Sequence, residues 1–233
     1  MLKERVEMKH KAINTTMLTL LLIMFTFSFY TSQSVHAADT INLTVNTNKG
    51  IYYLREMVKI YGSLERDGTP VSDAMLAIEV DNPLWNPLVF RTITMGTPPT
   101  SGVNIKSVGI VDEYGNPKDT FYIPIPAPAP DVLKMWVNVT VESSTTFEQV
   151  AVAFTAYDNS SIYIGSSIFG VAPLIEGITS YQMYVFVGAW TTTGTATIYA
   201  SIYTKRPLQG GYPLSPEKVA TFTIARGSGG AGG

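Results

Sequence analysis

The chain has 233 residues, of which 45% are hydrophobic, and its 18 acidic and 16 basic residues give a formal net charge of −2. It contains no cysteine, so disulfides, thiol nucleophiles and cysteine-ligated zinc sites are excluded. The near-neutral charge balance, without a clustered basic run, argues against nucleic acid as a partner.

The first 37 residues are typical of a cleaved secretory signal. A basic start precedes an apolar run from Met17 to Tyr30, and Val35 and Ala37 then occupy the positions that signal peptidase reads. The apolar run is shorter than the ~20 residues that a membrane-spanning helix needs. We therefore predict a signal peptide at residues 1–37, a mature start at Ala38 or Asp39, and an extracellular or cell-surface protein with no membrane span.

Removal of the signal peptide also limits the kinds of active site that the mature chain can form, because both histidines, His10 and His36, lie inside the signal. A Ser-His-Asp triad is then excluded. We predict a protein that is not an enzyme and that needs no cofactor and no metal. Two alternatives stay open: a glycoside-acting enzyme, which needs paired carboxylates, and a calcium site built from Asp81, Asp112 and Glu113.

In the first half of the mature chain, apolar and polar residues alternate in short runs, a pattern that predicts strands. Turn sequences rich in Gly, Pro, Asn and Asp separate these runs. The predicted strands are Ile41–Thr47, Met57–Ser63, Ala74–Val80, Leu88–Met95, Val103–Val111 and Thr120–Ile123.

A proline-rich segment follows, in which Pro124, Pro126, Pro128 and Pro130 occupy every second position. This spacing disfavours both helix and ladder pairing and is typical of a stiff polyproline linker. The alternative is a proline-rich edge strand that closes the first sandwich.

The second half shows cleaner alternation. Its predicted strands are Met135–Ser143, Glu148–Asp158, Ile162–Gly170, Ile178–Gly188, Thr195–Thr204 and Lys218–Ala225. The long loop 205–217 is rich in Pro and Gly and is a candidate functional loop.

The predicted fold is therefore all-β, with two Ig-like β-sandwich domains in tandem after the signal peptide. The first domain covers residues 38–123, the linker 124–131 and the second domain 132–226. Residues 227–233 form a glycine-rich tail that we expect to be disordered.

Three segments resemble the start of a macroglobulin (MG2-like) Ig-like domain, a type found in prokaryotic secreted and cell-surface proteins. They are 47–53, 56–62 and 68–74, and the turn 112–117 is similar to the turn before a late strand of such domains. The resemblance implies a β-sandwich. It does not imply protease inhibition, because the thioester cysteine of that family has no counterpart here.

Strand parity predicts which side chains of the second domain face outward. With Met135, Val137 and Val139 inward, several aromatic residues fall on nominally solvent-facing positions, and such apolar surface usually marks an interface. The predicted partner- or glycan-binding residues are Trp136, Tyr184, Phe186, Tyr199 and Tyr203. The alternatives are that the first domain or loop 205–217 covers these strands, or that the register differs.

Three N-glycosylation sequons, at Asn42, Asn138 and Asn159, follow the predicted signal. Parity places Asn42 and Asn138 outward, and Asn159 lies in a turn. We predict that all three are accessible to glycosylation.

These patterns favour a non-catalytic protein that acts in adhesion, surface-layer association or filament assembly, with other surface proteins, glycans or its own copies as partners. A secreted carbohydrate-binding module is the alternative. Glycan binding calls for exposed, co-planar aromatic rings, whereas assembly calls for an unpaired edge strand or a donor segment such as 39–47.

Overall fold

The computed structural model of the chain describes residues 40–52, 56, 58–84, 86–126 and 132–227, and it is built almost entirely of strands. All the predicted strands are present, with ends shifted by a few residues, and a two-residue strand lies inside a predicted turn. The strands are β1 Ile41–Thr47, β2 Ile60–Arg66, β3 Thr69–Pro70, β4 Ala74–Asp81, β5 Pro87–Met95, β6 Val103–Val111, β7 Thr120–Ile123, β8 Val132–Ser143, β9 Phe147–Tyr157, β10 Tyr163–Leu174, β11 Gly177–Gly188, β12 Gly194–Tyr203 and β13 Lys218–Arg226, with one 3₁₀ turn at Pro207–Gln209.

Some predictions fall on residues outside these ranges. They concern the signal peptide at 1–37, most of the proline-rich segment (127–131) and most of the glycine-rich tail (228–233). Within the described ranges, no helix has the length and apolar character needed to cross a membrane.

Two sheets pack face to face as a β-sandwich. Sheet A has the strand order β11-β8-β6, and sheet B has the order β10-β9-β12-β13-β7. Alternate side chains of both sheets point into the space between them and form one hydrophobic core, to which β8 contributes Met135, Val137, Val139 and Val141 and β12 contributes Ile198 and Ile202. Each fully buried aliphatic side chain of this kind stabilises the fold by about 1.5–3 kcal/mol.

The pairing of β6 and β7 corrects the predicted domain boundary. Both strands were assigned to a first sandwich, before the proline-rich segment, but β6 pairs antiparallel with β8 and β7 pairs parallel with β13. Ile105, Ile110 and Ile123 accordingly lie in the same core as β8 to β13. The boundary at 124–131 therefore does not separate two cores, because β6 and β7 can bury their apolar faces only against the later strands.

The β4–β5 hairpin covers the outer face of sheet B. Phe90 of β5 is 1% exposed and packs with Ala151, Ala153 and Tyr203, all of which point away from the main core. The amide of Phe90 donates a hydrogen bond to Thr155 Oγ1, and that hydroxyl donates in turn to the Phe90 carbonyl, each at 2.9 Å. Sheet B is thus buried on both faces over β9 and β12.

The N-terminal strands form a separate three-stranded sheet with the order β1-β2-β3. Every residue of β1 is exposed, and most of β2 is as well. Thr44 Oγ1 lies 2.9 Å from Ser63 Oγ and accepts a hydrogen bond from the Ser63 amide, which ties β1 to β2. The segments that resemble an MG2-like domain overlap the strands of this sheet only at residues 47, 60–62 and 69–70.

Candidate functional site

Three of the predicted aromatic residues lie together on the outer face of sheet A. Trp136 of β8 stands directly opposite Tyr184 of β11, and Phe186 follows on the same face. The Trp136 and Tyr184 rings are 5.2 Å apart at 85°, and the Tyr184 and Phe186 rings are 5.0 Å apart at 70°. Their outward orientation is confirmed: Phe186 is 51% exposed, while Trp136 and Tyr184 are half-buried against each other.

Two further residues, Lys134 and Trp190, belong to this cluster and were missed by sequence reasoning. The ammonium group of Lys134 lies 4.8 Å from the centre of the Tyr184 ring, within the range of a cation–π interaction. The indole of Trp190 lies against Gly188, which continues the outward row of β11, and Trp190 is 50% exposed. From Tyr184 to Gly188 the row spans about 13 Å.

The signal for Trp190 was its position two residues after Gly188, the glycine that ends β11. A Cβ on Gly188 would meet the Trp190 indole at 2.1 Å, so the ring packs directly on this glycine and would have to move if another residue stood there. Parity reasoning passed over Trp190 because the residue lies beyond the end of β11. We call Lys134, Trp136, Tyr184, Phe186 and Trp190 the aromatic cluster.

Polar groups adjoin the aromatic cluster on the same face. The next cross-strand row consists of Gln182, Asn138 and Gly109. A Cβ added to Gly109 would have no neighbour within 4 Å, so this glycine leaves a shallow gap beside Asn138. A glycine inside a strand often marks a place where another molecule approaches the backbone.

The β6–β7 loop borders this polar row. Gln182 Nε2 donates hydrogen bonds to the carbonyl oxygens of Asp112 and Glu113, at 3.2 and 3.0 Å. The Asp112 carboxylate accepts hydrogen bonds from the amides of Tyr114 and Asn116 and from the Asn116 side chain. Chiefly through the Asn116 side-chain bond, these contacts lower the pKa of Asp112 below its ordinary value. Asp112 thus has a structural role in the loop.

The other two predicted aromatic residues lie on the outer face of sheet B, and there the prediction of solvent exposure is wrong. Tyr203 is 0% exposed, and its hydroxyl donates to the carbonyl oxygen of Arg91 at 3.1 Å. Tyr199 is half-buried beneath Arg91, whose guanidinium carbon lies 3.7 Å from the ring centre. The alternative that the first-half strands cover this face is the correct one, because β5 lies across it.

Loop 205–217 and the β4–β5 hairpin are joined by two sets of ion pairs. Arg91 makes a two-pronged contact with Glu217, at 2.9 and 2.6 Å, and Arg206 contacts both Glu79 and Asp81. Burial works to lower the pKa of Arg91, but the hydrogen bond and charge of Glu217 outweigh it and raise that pKa above its ordinary value. In the structure this loop clamps the hairpin onto sheet B.

The carboxylates considered as calcium ligands take part in separate contacts. Asp81 accepts a hydrogen bond from Arg206, and Asp112 accepts one from Asn116 within its own loop. In the part of the chain that the structure describes, no group of three or more His, Cys, Asp or Glu is placed to hold a metal.

At the end of sheet A away from the aromatic cluster, a cavity of about 340 Å³ is lined by Gly102, Asn104, Glu142, Ser143, Ser144, Glu176 and Gly177.

The three sequons differ in their surroundings. Asn42 is exposed on β1, whereas Asn138 is half-buried in the middle of the outer face of sheet A. Asn159 lies in an exposed turn, but its side-chain nitrogen packs close to Gly194 and its oxygen accepts a hydrogen bond from Thr192. Glycosylation of the three stays a prediction.

Comparison with known proteins adds little to this geometry. No protein-family profile matches the chain, and no curated protein matches it. Among solved structures, it is similar to the C-terminal domain of Wzt, with 8% identity and a TM-score of 0.41 over 53% of this chain and 74% of that one. It is also similar to a family 123 glycoside hydrolase from Clostridium perfringens, studied for glycolipid glycan hydrolysis, with 12% identity and a TM-score of 0.25 over 54% of this chain and 27% of that one. Likeness at this level establishes neither a shared topology nor a shared activity.

Proposed function

We propose that the protein is a non-catalytic, extracellular glycan-binding β-sandwich that binds soluble oligosaccharide chains on the outer face of sheet A. The observation that carries the proposal is the aromatic cluster, which lies directly beside the polar row Gln182, Asn138 and Gly109. Adhesion, the function that the sequence favours, then takes place through glycans.

Sugars present two kinds of surface, and this face offers a counterpart to each. The C–H faces of a pyranose ring pack against aromatic rings, and its hydroxyl groups exchange hydrogen bonds with amides. Trp136 and Phe186 supply aromatic surface, and the amide group of Asn138 supplies a donor and an acceptor one row away. The gap above Gly109 lets a ligand approach the strand backbone.

The ring geometry restricts the kind of glycan. The co-planar arrangement expected from the sequence is not present, because neighbouring rings meet at 85° and 70°. Such rings do not form the platform that a flat, insoluble polysaccharide surface requires. One ring can stack on a sugar while its neighbour presents an edge. We therefore expect binding to soluble, flexible oligosaccharides and none to crystalline polysaccharides.

A glycan attached to Asn138 would compete with this function. Asn138 lies between Gln182 and Gly109 in the middle of the face, so an attached sugar would cover the proposed binding surface. Glycosylation at Asn138 and glycan binding beside Trp136 therefore exclude each other.

The cavity lined by Glu142 and Glu176 gives the glycoside-acting enzyme a specific place to be tested. Two carboxylates across a bound sugar are what such chemistry needs. However, Glu142 also pairs with Lys106 at 3.1 Å on the exposed surface. Hydrolysis of a bound oligosaccharide that is lost in both Glu142→Gln and Glu176→Gln would overturn the non-catalytic proposal.

The test of the proposed function is retention of the exported protein on an array of soluble neutral and acidic oligosaccharides. We expect Trp136→Ala and Phe186→Ala each to weaken retention at least about tenfold, which corresponds to about 1.4 kcal/mol. The matched control is Tyr122→Ala, which removes another aromatic side chain, 51% exposed, from edge strand β7 of sheet B.

Thermal melts of all three variants separate binding from folding. Retention that Tyr122→Ala weakens as much as Trp136→Ala would contradict a site on sheet A. Failure of the wild-type protein to bind any oligosaccharide on the array would reject glycan binding itself.

A further inference from the structure

A second surface, far along the chain from the aromatic cluster, shows an unusual exposure of apolar side chains. Ile41, Leu43 and Val45 alternate along β1 and are 54%, 52% and 64% exposed. Thr44 faces Ser63 on the opposite face, so the three apolar residues share the face on which parity also places Leu64 of β2.

In the part of the chain that the structure describes, β1 lacks the sequence features that commonly protect the edges of natural sheets. Sheet edges are usually blocked by charged residues, proline, bulges or short strand length. The sequence of β1, Ile-Asn-Leu-Thr-Val-Asn-Thr, has no charge and no proline over seven residues, and β1 is the terminal strand of its sheet. Its backbone groups can therefore accept a further strand.

The pattern of β1 matches itself. If two copies pair antiparallel about Leu43, then Leu43 faces Leu43 of the second copy, and Ile41 faces its Val45. Because the side-chain period is two, both apolar rows fall on one face of the joined sheet and the Asn and Thr residues fall on the other. Such a contact is isologous and closes as a twofold dimer.

We propose that β1 is a self-association edge, at which a second copy of this chain pairs to give a continuous sheet across two molecules. The absence of charge on β1 favours an identical uncharged strand over a charged partner. One strand pair buries less than the roughly 800 Å² per partner of a standard interface, so the dimer is weak and depends on concentration. This proposal is independent of glycan binding on sheet A.

Sedimentation of the exported protein from about 1 µM to about 1 mM tests the proposal. We expect a reversible dimer in the wild type and at least tenfold weaker association in Leu43→Lys, which places a charge at the centre of the edge. The matched control is Ile93→Lys on β5, because Ile93 is an equally apolar residue that is 45% exposed outside β1. A wild-type protein that stays monomeric throughout would overturn the proposal, as would equal weakening by the control.

Cross-linking tests the pairing directly and does not depend on how well a charged variant folds. The chain has no cysteine, so a single Leu43→Cys substitution supplies the only thiol of the full sequence. Opposed residues of an antiparallel pair have Cα atoms about 4.5–5.5 Å apart, within the range of a disulfide. We expect mild oxidation to yield covalent dimer from Leu43→Cys and several-fold less from Ile93→Cys. Equal yields would reject pairing through β1.

Discussion

The outer faces of sheets A and B carry similar sequence patterns but have different surroundings. Both present aromatic residues at the positions that alternate with core residues, Trp136 and Tyr184 on sheet A and Tyr199 and Tyr203 on sheet B. On sheet B the β4–β5 hairpin covers these positions, and Tyr203 is fully buried. On sheet A the aromatic rings stay at the surface. An outward position in a strand therefore becomes a binding surface or a second core according to what packs over it.

The largest expected effect distinguishes these two faces by stability. Tyr203→Ser should lower the free energy of unfolding by about 3–5 kcal/mol, because it removes a fully buried ring. Tyr184→Ser should lower it by only about 1–2 kcal/mol, because that ring is half-buried and loses its contacts with Trp136 and Phe186 but leaves no cavity in a core. Denaturant unfolding measures both. Equal losses would mean that the two faces are equally covered.

Tyr203→Phe refines this comparison. It keeps the ring but removes the hydroxyl that donates to the Arg91 carbonyl, so we expect a loss of about 1 kcal/mol. A loss as large as that of Tyr203→Ser would show that the hydrogen bond, and not the ring, holds the hairpin in place.

A smaller effect is expected at the clamp that holds the hairpin on sheet B. Glu217→Gln keeps the shape of the side chain but removes the charge facing Arg91, and the Arg91 side chain is 29% exposed. We expect a loss of about 1–2 kcal/mol and faster hydrogen exchange in β4 and β5.

The control for the clamp is Glu142→Gln on sheet A. The pair between Glu142 and Lys106 has both side chains about half exposed, so we expect a loss of at most about 0.5 kcal/mol. Unchanged hydrogen exchange in β4 and β5 of Glu217→Gln would contradict a clamping role.

Alkaline pH provides a third way to separate the faces. Burial raises the pKa of Tyr203 above its ordinary value, and burial also raises that of Tyr157. A raised folded pKa means that the stabilising contribution is complete below the unfolded value of about 10 and is lost as the pH rises through the folded value. We expect unfolding free energy to fall above about pH 10, less steeply in Tyr203→Phe. Denaturant unfolding between pH 8 and about 11 measures this fall in unfolding free energy. Equal slopes against pH in the wild type and in Tyr203→Phe would contradict a contribution from Tyr203.

The smallest effect on stability is expected at the gap on sheet A. Gly109→Val fills space that has no neighbour within 4 Å, so the free energy of unfolding should change by less than about 0.5 kcal/mol. Oligosaccharide retention should nevertheless fall, because the new side chain occupies the gap. Gly170→Val, at another open glycine on β10, is the control and should keep full retention.

Some of this contrast was visible in the sequence. Three successive outward residues of β9, Ala151, Ala153 and Thr155, are small and uncharged, which is typical of a strand that is buried on both faces. The outward residues of β8, in contrast, include Lys134, Asn138 and Glu142. Comparing the two strands would have identified sheet B as the covered sheet and excluded Tyr203 as a surface residue.

The sequence by itself determined the strands. Period-two alternation is a local property, since each side chain alternates across its own strand, and the breaks between runs are set by Gly, Pro and Asn in turns. The positions of β1, β6 and β7 were predicted to the residue. The orientation of Trp136, Tyr184 and Phe186 followed from the same local rule.

Only the tertiary structure decided which strands share a core and which face stays open. Alternation identifies the apolar face of a strand but not the strand that packs against it. The sequence therefore placed β6 and β7 in a first sandwich, whereas in the structure they pair with β8 and β13. The cover over Tyr203 comes from Phe90, which is more than a hundred residues earlier in the chain. Such contacts depend on the packing of distant segments, and a local sequence pattern carries no information about them.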